Sequence, residues 1–181
     1  LRPTFVSIVD DTPLGEDVIR KLNNHKVNTN YMVTKPDGMG TWLAVFDNNG
    51  DVAGSISKRP NMMHVVPLLE EKGDEIFSQA DAIVVEIDID TEVIKKSFEL
   101  AKKHNKKIFA LVSNMSIAVE RRDFLQKLDC FICNEQEAGM LFFDDYSKKT
   151  PEEMCQILPR KIGSANISSM IVTMGAQGAV Y

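Results

Sequence analysis

Short apolar runs rich in β-branched residues alternate along this chain with segments of helical period, and that alternation restricts it to the α/β class. The run at 4–9 is followed by the turn-formers Asp10-Asp-Thr-Pro13, and then by Leu14, Val18 and Leu22, spaced as one face of a helix. Residues 82–87 (AIVVEI) are a near-continuous apolar run of the kind buried on both faces of a parallel sheet. Asp90 can cap the helix that follows, whose Ile94, Phe98 and Ala101 share a stripe and whose basic end, Lys102-Lys103-His104, complements the helix dipole. Residues 107–112 predict the next strand, 124–128 the end of another helix, and 130–133 a third buried strand. Strand, helix and strand repeated in this way imply right-handed crossovers and an open, doubly wound, mostly parallel sheet.

One segment breaks the pattern. Residues 31–33, 40–47 and 51–57 read as strands with no helix between them, and Asn49-Gly50 is a strong hairpin signal. An antiparallel β element at 31–57 is therefore predicted as an insertion in the α/β domain. Such a flap can act as a lid that excludes water from a reacting group. It can equally be a structural hairpin or a dimer-forming edge, because Trp42, Leu43 and Val45 place apolar side chains on it.

With 181 residues, 44% hydrophobic, 26% charged and a formal charge of -5, the chain fits one soluble globular domain with its own core. The acidic balance, without a Lys/Arg run longer than a dipeptide, argues against a nucleic-acid partner. Three cysteines, Cys130, Cys133 and Cys155, do not make a secreted disulfide framework and favour a reducing, cytoplasmic setting. No stretch approaches the roughly 18 apolar residues of a membrane span. The chain opens on Leu1-Arg-Pro and runs directly into strand-like sequence. It closes on Gly178-Ala-Val-Tyr181, a strand begun at Ala179 with nothing after it to pair with. Both ends give the expectation of a domain incomplete on each side.

Candidate functional residues sit where the strands end. Asp88 follows the run at 83–87, at the carboxyl edge where open α/β sheets bind ligands, and a carboxylate there can accept hydrogen bonds from two hydroxyls of a sugar. A helix-capping role competes with that reading, although Asp90 is better placed for the cap. Asn134-Glu-Gln-Glu137 follows the strand at 130–133. Asn at a helix start and Glu three residues on are an ordinary capping pair, yet the junction also offers N–H groups to an anion and a carboxylate to hydrated Mg²⁺. Cys130 and Cys133 fall on opposite faces of a strand and lack a partner pair, so they read as core residues. His25, His64 and His104 form no recognisable triad and read as solvated. Neither a Walker A sequence nor G-x-G-x-x-G occurs, and Gly175-Ala-Gln-Gly178 taken alone passes for a hairpin turn.

Taken in order, the segment from Val9 to Gly15, the hairpin at 40–57, the strand ending at Asp88, Asn134-Glu-Gln-Glu137 and Val172-Thr-Met-Gly-Ala-Gln-Gly-Ala-Val-Tyr181 resemble the ribokinase-like or PfkB carbohydrate kinases. The resemblance spans essentially the whole chain and matches the family's middle. It implies a partial ribokinase-like domain over 1–181 that uses ATP and Mg²⁺ to phosphorylate a sugar or nucleoside. Asp88 and, in the lid, Thr41 would meet the acceptor. Asn134 and Glu137 match an Asn-x-x-Glu that organises Mg²⁺ and the nucleotide phosphates, with Glu137 on the metal side. Thr173, Gly175 and Gly178 match the turn lining the ATP site. The family's catalytic base lies in a Gly-x-Gly-Asp segment that would follow Tyr181, so the 181 residues alone are expected to be inactive. The hairpin and Asn61-Met-Met most resemble pseudouridine kinases. One departure is Leu111-Val-Ser-Asn114, where many members carry Asp-Pro, which alters a polar wall of the usual pocket. A non-catalytic binding or assembly module with a hairpin dimer interface is the competing class, and a dinucleotide-dependent enzyme lacks its glycine fingerprint.

Overall fold

The structure, a computed structural model, describes residues 1–48 and 52–181. The chain divides into two compact units, Leu1–Gly73 and Asp74–Tyr181.

In the first unit, β1 (Ser7–Val9) and β2 (Met32–Thr34) pair in parallel, with Ser7 opposite Met32, and α1 (Pro13–Asn24) forms the crossover. Pro13 occupies the first turn of α1, where a missing N–H costs nothing. The predicted stripe of this helix is displaced. Leu14 is 70% exposed, Val18 and Leu22 are half-buried, and the buried residue is Gly15. The helix approaches the end of β1 so closely that a Cβ on Gly15 would lie 2.2 Å from the Asp10 carbonyl oxygen, which leaves no room for an apolar side chain on that face.

β3 (Thr41–Phe46) and β4 (Val52–Lys58) form a separate antiparallel pair, with Thr41 opposite Lys58 and Val45 opposite Gly54. The predicted Asn49-Gly50 turn lies outside the described residues. Of the three strands expected in the insertion, only these two pair with each other, because β2 is claimed by the crossover to β1. A 3-10 turn at Met62–Val65, capped by the Asn61 side chain on the Met63 N–H, leads into α2 (Val66–Gln79).

The second unit is built on β5 (Ala82–Glu86), α3 (Thr91–Lys103), β6 (Lys107–Leu111), α4 (Met115–Glu120), α5 (Arg122–Leu125), β7 (Cys130–Asn134), α6 (Glu135–Phe142), α7 (Pro151–Ala165), β8 (Met170–Thr173) and β9 (Ala179–Val180). The sheet order is β5-β6-β7-β8-β9, parallel from β5 to β8. Its last pairing corrects the expectation for Ala179. The strand begun there folds back antiparallel onto β8, with Val180 opposite Val172.

One face of this sheet carries Ile83, Val85, Ile108, Ala110, Phe131, Cys133, Met170, Val172 and Val180, all buried. The other face departs from the two-sided burial predicted for 82–87. Val84 is 62% exposed and Phe109, Ile132 and Ile171 are half-buried, while Cys130 on the same face is buried. On α3 the predicted stripe holds: Ile94 and Ala101 are fully buried and Phe98 stacks on Phe124 at 5.8 Å between ring centroids. Asp90 stands at the N-cap position, but its side chain makes no capping hydrogen bond, and its main-chain carbonyl accepts from Val93 and Ile94 instead.

Two histidines depart from the solvated reading. His64 Nε2 lies 3.1 Å from Asp37 Oδ1 and His104 Nε2 lies 2.7 Å from Asp74 Oδ1, and both rings are partly covered. Lys103 joins Asp74 at 2.7 Å, and the hydrogen bonds from Lys103 and then His104 hold the Asp74 carboxyl below its ordinary range. Cys130 and Cys133 are buried on opposite faces of β7, as expected of core residues.

Candidate functional site

The four parallel strands of the second unit deliver their carboxyl ends to one edge of the sheet, and the candidate residues arrive there by register. Ile87, fully buried, donates its main-chain N–H to the Leu111 carbonyl at 3.0 Å, which extends the β5-β6 ladder by one residue. Asp88 comes next and is only 5% exposed, one of few buried polar residues among those described.

Glu86 was not singled out by sequence, nor was Ser113. The Ser113 hydroxyl donates to Glu86 Oε2 at 2.9 Å and the Ser113 main-chain N–H donates to Oε1 at 3.0 Å. Burial pushes the Glu86 carboxyl above its ordinary value; the Ser113 donors oppose that rise and the Asp88 charge adds to it. Asn114 caps α4 through the Ser116 N–H at 3.1 Å. The segment 111–114 thus spends its polar side chains on Glu86 and on a helix start.

A third residue without a sequence signal is Arg121, at the junction of α4 and α5. Its Nη1 donates to the Ile87 carbonyl at 2.9 Å and also to the Ile89 carbonyl, which lie on either side of the Asp88-Ile89 pair. Nothing in the helical pattern of 115–125 marks this arginine, since its partners lie more than thirty positions back.

At the end of β7, Asn134 and Glu137 form a complete capping box. Asn134 Oδ1 accepts from the Glu137 N–H at 2.8 Å, and Glu137 Oε2 accepts from the Asn134 N–H at 2.8 Å. Burial, aided by the Glu137 charge, drives the Cys133 thiol far above its usual value, so it stays protonated and is no nucleophile. No cluster of three or more His, Cys, Asp or Glu able to cage a metal occurs among the described residues. That donor set still fits Mg²⁺, which keeps most of its waters and takes one or two carboxylates together with substrate phosphates. Glu137 supplies such a carboxylate at a helix start, where N–H groups and the dipole favour anions.

Thr173 lies opposite Asn134 across the β7-β8 pair, and its hydroxyl donates to the Cys133 carbonyl at 3.4 Å. The turn after it is closed by the Met174 N–H on the Gly178 carbonyl at 2.8 Å, with Gly175 at φ 54° and Gly178 at φ 94°. Neither glycine has another atom within 4 Å of a would-be Cβ. The turn is therefore glycine-dependent through its backbone, not through crowding. Since neighbouring strands lie about 4.8 Å apart, the end of β5 and the end of β7 are separated by about 10 Å, the span of a small polar ligand. Thr41 lies in the first unit, exposed at the start of β3. A shallow hollow of about 630 Å³ on the flank of α6 is lined by Glu135, Gln136, Met140, Phe143 and Tyr146 and includes none of the candidate residues.

The sequence pattern of the pfkB family carbohydrate kinases matches residues 1–181. A guanosine-inosine kinase from Exiguobacterium acetylicum is 29% identical over 178 residues, which cover 98% of this chain and 58% of that protein. Among solved structures, the ribokinase of Arabidopsis thaliana complexed with ribose and ATP superposes with a TM-score of 0.74 at 17% identity, over 98% of this chain and 57% of that one. The adenosine kinase of Sinorhizobium meliloti gives 0.72 at 17% identity, over 98% and 54%. The chain thus spans little more than half the length of these relatives. These likenesses establish a ribokinase-like mixed α/β fold, and with the match over its entire length the chain belongs to the pfkB family of carbohydrate kinases.

Proposed function

We propose that the protein carrying these residues transfers the γ-phosphoryl group of ATP to a hydroxymethyl group of a sugar or nucleoside. The observation that carries this reading is the gathering of Asp88, Asn134, Glu137, Thr173 and the Gly175–Gln177 turn at the carboxyl edge of one parallel sheet. Phosphoryl transfer depends on positioning and charge neutralisation, which is what such an edge supplies.

In this reading the buried Asp88 carboxylate accepts hydrogen bonds from two acceptor hydroxyls and fixes which hydroxymethyl group is presented. Asn134, Thr173, Gly175 and Gly178 line the nucleotide side. Glu137 would hold a hydrated Mg²⁺, whose chemistry is to neutralise phosphate charge. Thr41 is assigned to the acceptor from the resemblance of its hairpin, 31–57, to the family's lid. Nucleoside acceptors come first, supported by the guanosine-inosine kinase relative and by the likeness of the hairpin to pseudouridine kinases. The three free cysteines support a reducing, cytoplasmic setting. The exposed Trp42, Leu43, Val45, Phe46 and Ile56 on β3 and β4 support a homodimer formed lid to lid.

The test is ADP release by the full-length protein with Mg²⁺ and ATP across guanosine, inosine, adenosine, pseudouridine and ribose. Release that depends on one of these acceptors supports the kinase. Tight acceptor binding without ADP release from any of them would favour the competing non-catalytic module.

A further inference from the structure

We infer that Arg121 is the positioning residue for Asp88, a strap that holds the acceptor-gripping carboxylate in place from 33 positions further along the chain. The inference rests on the proposed acceptor role of Asp88. Loops after parallel strands gain freedom as soon as the ladder ends, and here the ladder's last bond is Ile87 N–H to Leu111 carbonyl. Beyond it, the carbonyls of Ile87 and Ile89 point to one guanidinium nitrogen, Nη1 of Arg121. The 87–88 peptide before Asp88 and the 89–90 peptide one residue beyond it are thereby tied to the same rigid group, which limits the backbone rotation of the Asp88-Ile89 segment between them. The planar guanidinium suits this task because its donors are arranged in a fixed fork.

Arg121 is itself held. Its N–H donates to the Ala118 carbonyl at 3.0 Å, and its carbonyl accepts from Phe124 at 2.9 Å, so it ends α4 and starts α5 in a single residue. Phe124 and Leu125, directly behind it, are buried. The strap is therefore anchored in the core at one end and in the Asp88 loop at the other. Geometry matters here because a displacement of about 1 Å in a positioning group can cost about a hundredfold in rate.

The experiment is a double-mutant cycle in the full-length protein, with acceptor KM, ATP KM, kcat and melting temperature read for each variant. Arg121→Ala is expected to raise acceptor KM about tenfold while ATP KM changes by less than about twofold. In the Asp88→Ala background the same substitution is expected to leave acceptor KM where Asp88→Ala alone puts it. A purely structural role would instead add its cost in both backgrounds or weaken both substrates alike, and either result overturns the inference. Asp88→Ala with an unchanged acceptor KM defeats the acceptor reading itself, and with it this inference. A raised KM in Asp88→Ala with none in Arg121→Ala defeats the strap alone. If Arg121→Ala does not yield folded protein, Arg121→Lys carries the test. Losing the fork but keeping the cation predicts a smaller rise, about threefold, again absent without Asp88. A wild-type acceptor KM in Arg121→Lys overturns the inference.

Discussion

Ser113 binds both oxygens of Glu86, one through its hydroxyl at 2.9 Å and one through its main-chain N–H at 3.0 Å, and so ties the end of β5 to the residues after β6. Despite those donors, burial keeps the Glu86 carboxyl above its ordinary value near 4.5. The folded state therefore binds this proton more tightly than the unfolded chain. The stabilising contribution is fully present below about pH 4.5 and is lost as pH rises through the higher folded value. Glu86→Gln, which can accept from the Ser113 N–H and donate to its hydroxyl, is expected to raise the denaturation midpoint at pH 7 relative to wild type. The advantage should vanish at pH 4. An equal gain at both pH values would show that the charge is not the cause.

Removing the carboxylate proposed to grip the acceptor should separate the two substrates kinetically. Asp88→Ala is expected to raise acceptor KM by about 10- to 100-fold, the worth of hydrogen bonds to a charged group, with ATP KM nearly unchanged. Initial-rate kinetics with each substrate varied in turn provide the check. Equal rises in both would place Asp88 elsewhere in the cycle.

Glu137 has a structural duty that is visible and a metal duty that is proposed, and two substitutions divide them. Glu137→Gln preserves a side-chain acceptor for the Asn134 N–H, so stability should stay within about 0.5 kcal/mol. The Mg²⁺ concentration for half-maximal activity should nevertheless rise about tenfold or more. Glu137→Ala should show that defect and lose about 1 kcal/mol in addition. Wild-type Mg²⁺ dependence in Glu137→Gln would leave the residue a cap only.

The glycine turn between β8 and β9 predicts a cost that comes from the backbone alone. Gly178 at φ 94° and ψ -133° lies where side-chain-bearing residues are strained. Gly178→Ala should cost about 1–3 kcal/mol, measured by denaturant titration, although no other atom lies within 4 Å of the added Cβ. A neutral substitution would contradict the backbone argument.

The exposed hairpin gives a prediction about assembly. Charging it with Leu43→Glu together with Ile56→Glu, which face each other across β3 and β4, should convert a lid-mediated dimer to monomer. Light scattering after gel filtration reads the mass directly. A dimer that survives both charges must use another surface.

What the sequence made legible is what local chemistry determines. Residues 107–112 and 130–133 became strands within a residue or two of their expected bounds, because apolar β-branched runs between turn-formers have few alternatives. The Asn134–Glu137 pair announced its helix start, since both capping bonds form within four residues. Long-range choices were hidden. Whether the strand at 31–33 joined the hairpin or β1 depended on a crossover geometry that periodicity does not record, and β3-β4 won only its own partner. Leu14 fits the helical period, yet close approach of α1 to Asp10 selected Gly15 for the buried face. Glu86 with Ser113, and Arg121 with the Asp88 loop, join residues 27 to 34 positions apart through two hydrogen bonds each, which leave no repeat to detect.

The Asn134–Glu137 ring also makes one amide proton a reporter. A carboxylate that draws closer to a cation gives less to the Asn134 N–H, and by linkage anything that tightens this bond weakens the hold on the cation. With Glu137 holding Mg²⁺ as proposed, loading the nucleotide side should quicken hydrogen exchange at Asn134 while the remainder of α6 keeps its protection, a readout of occupancy that does not need turnover.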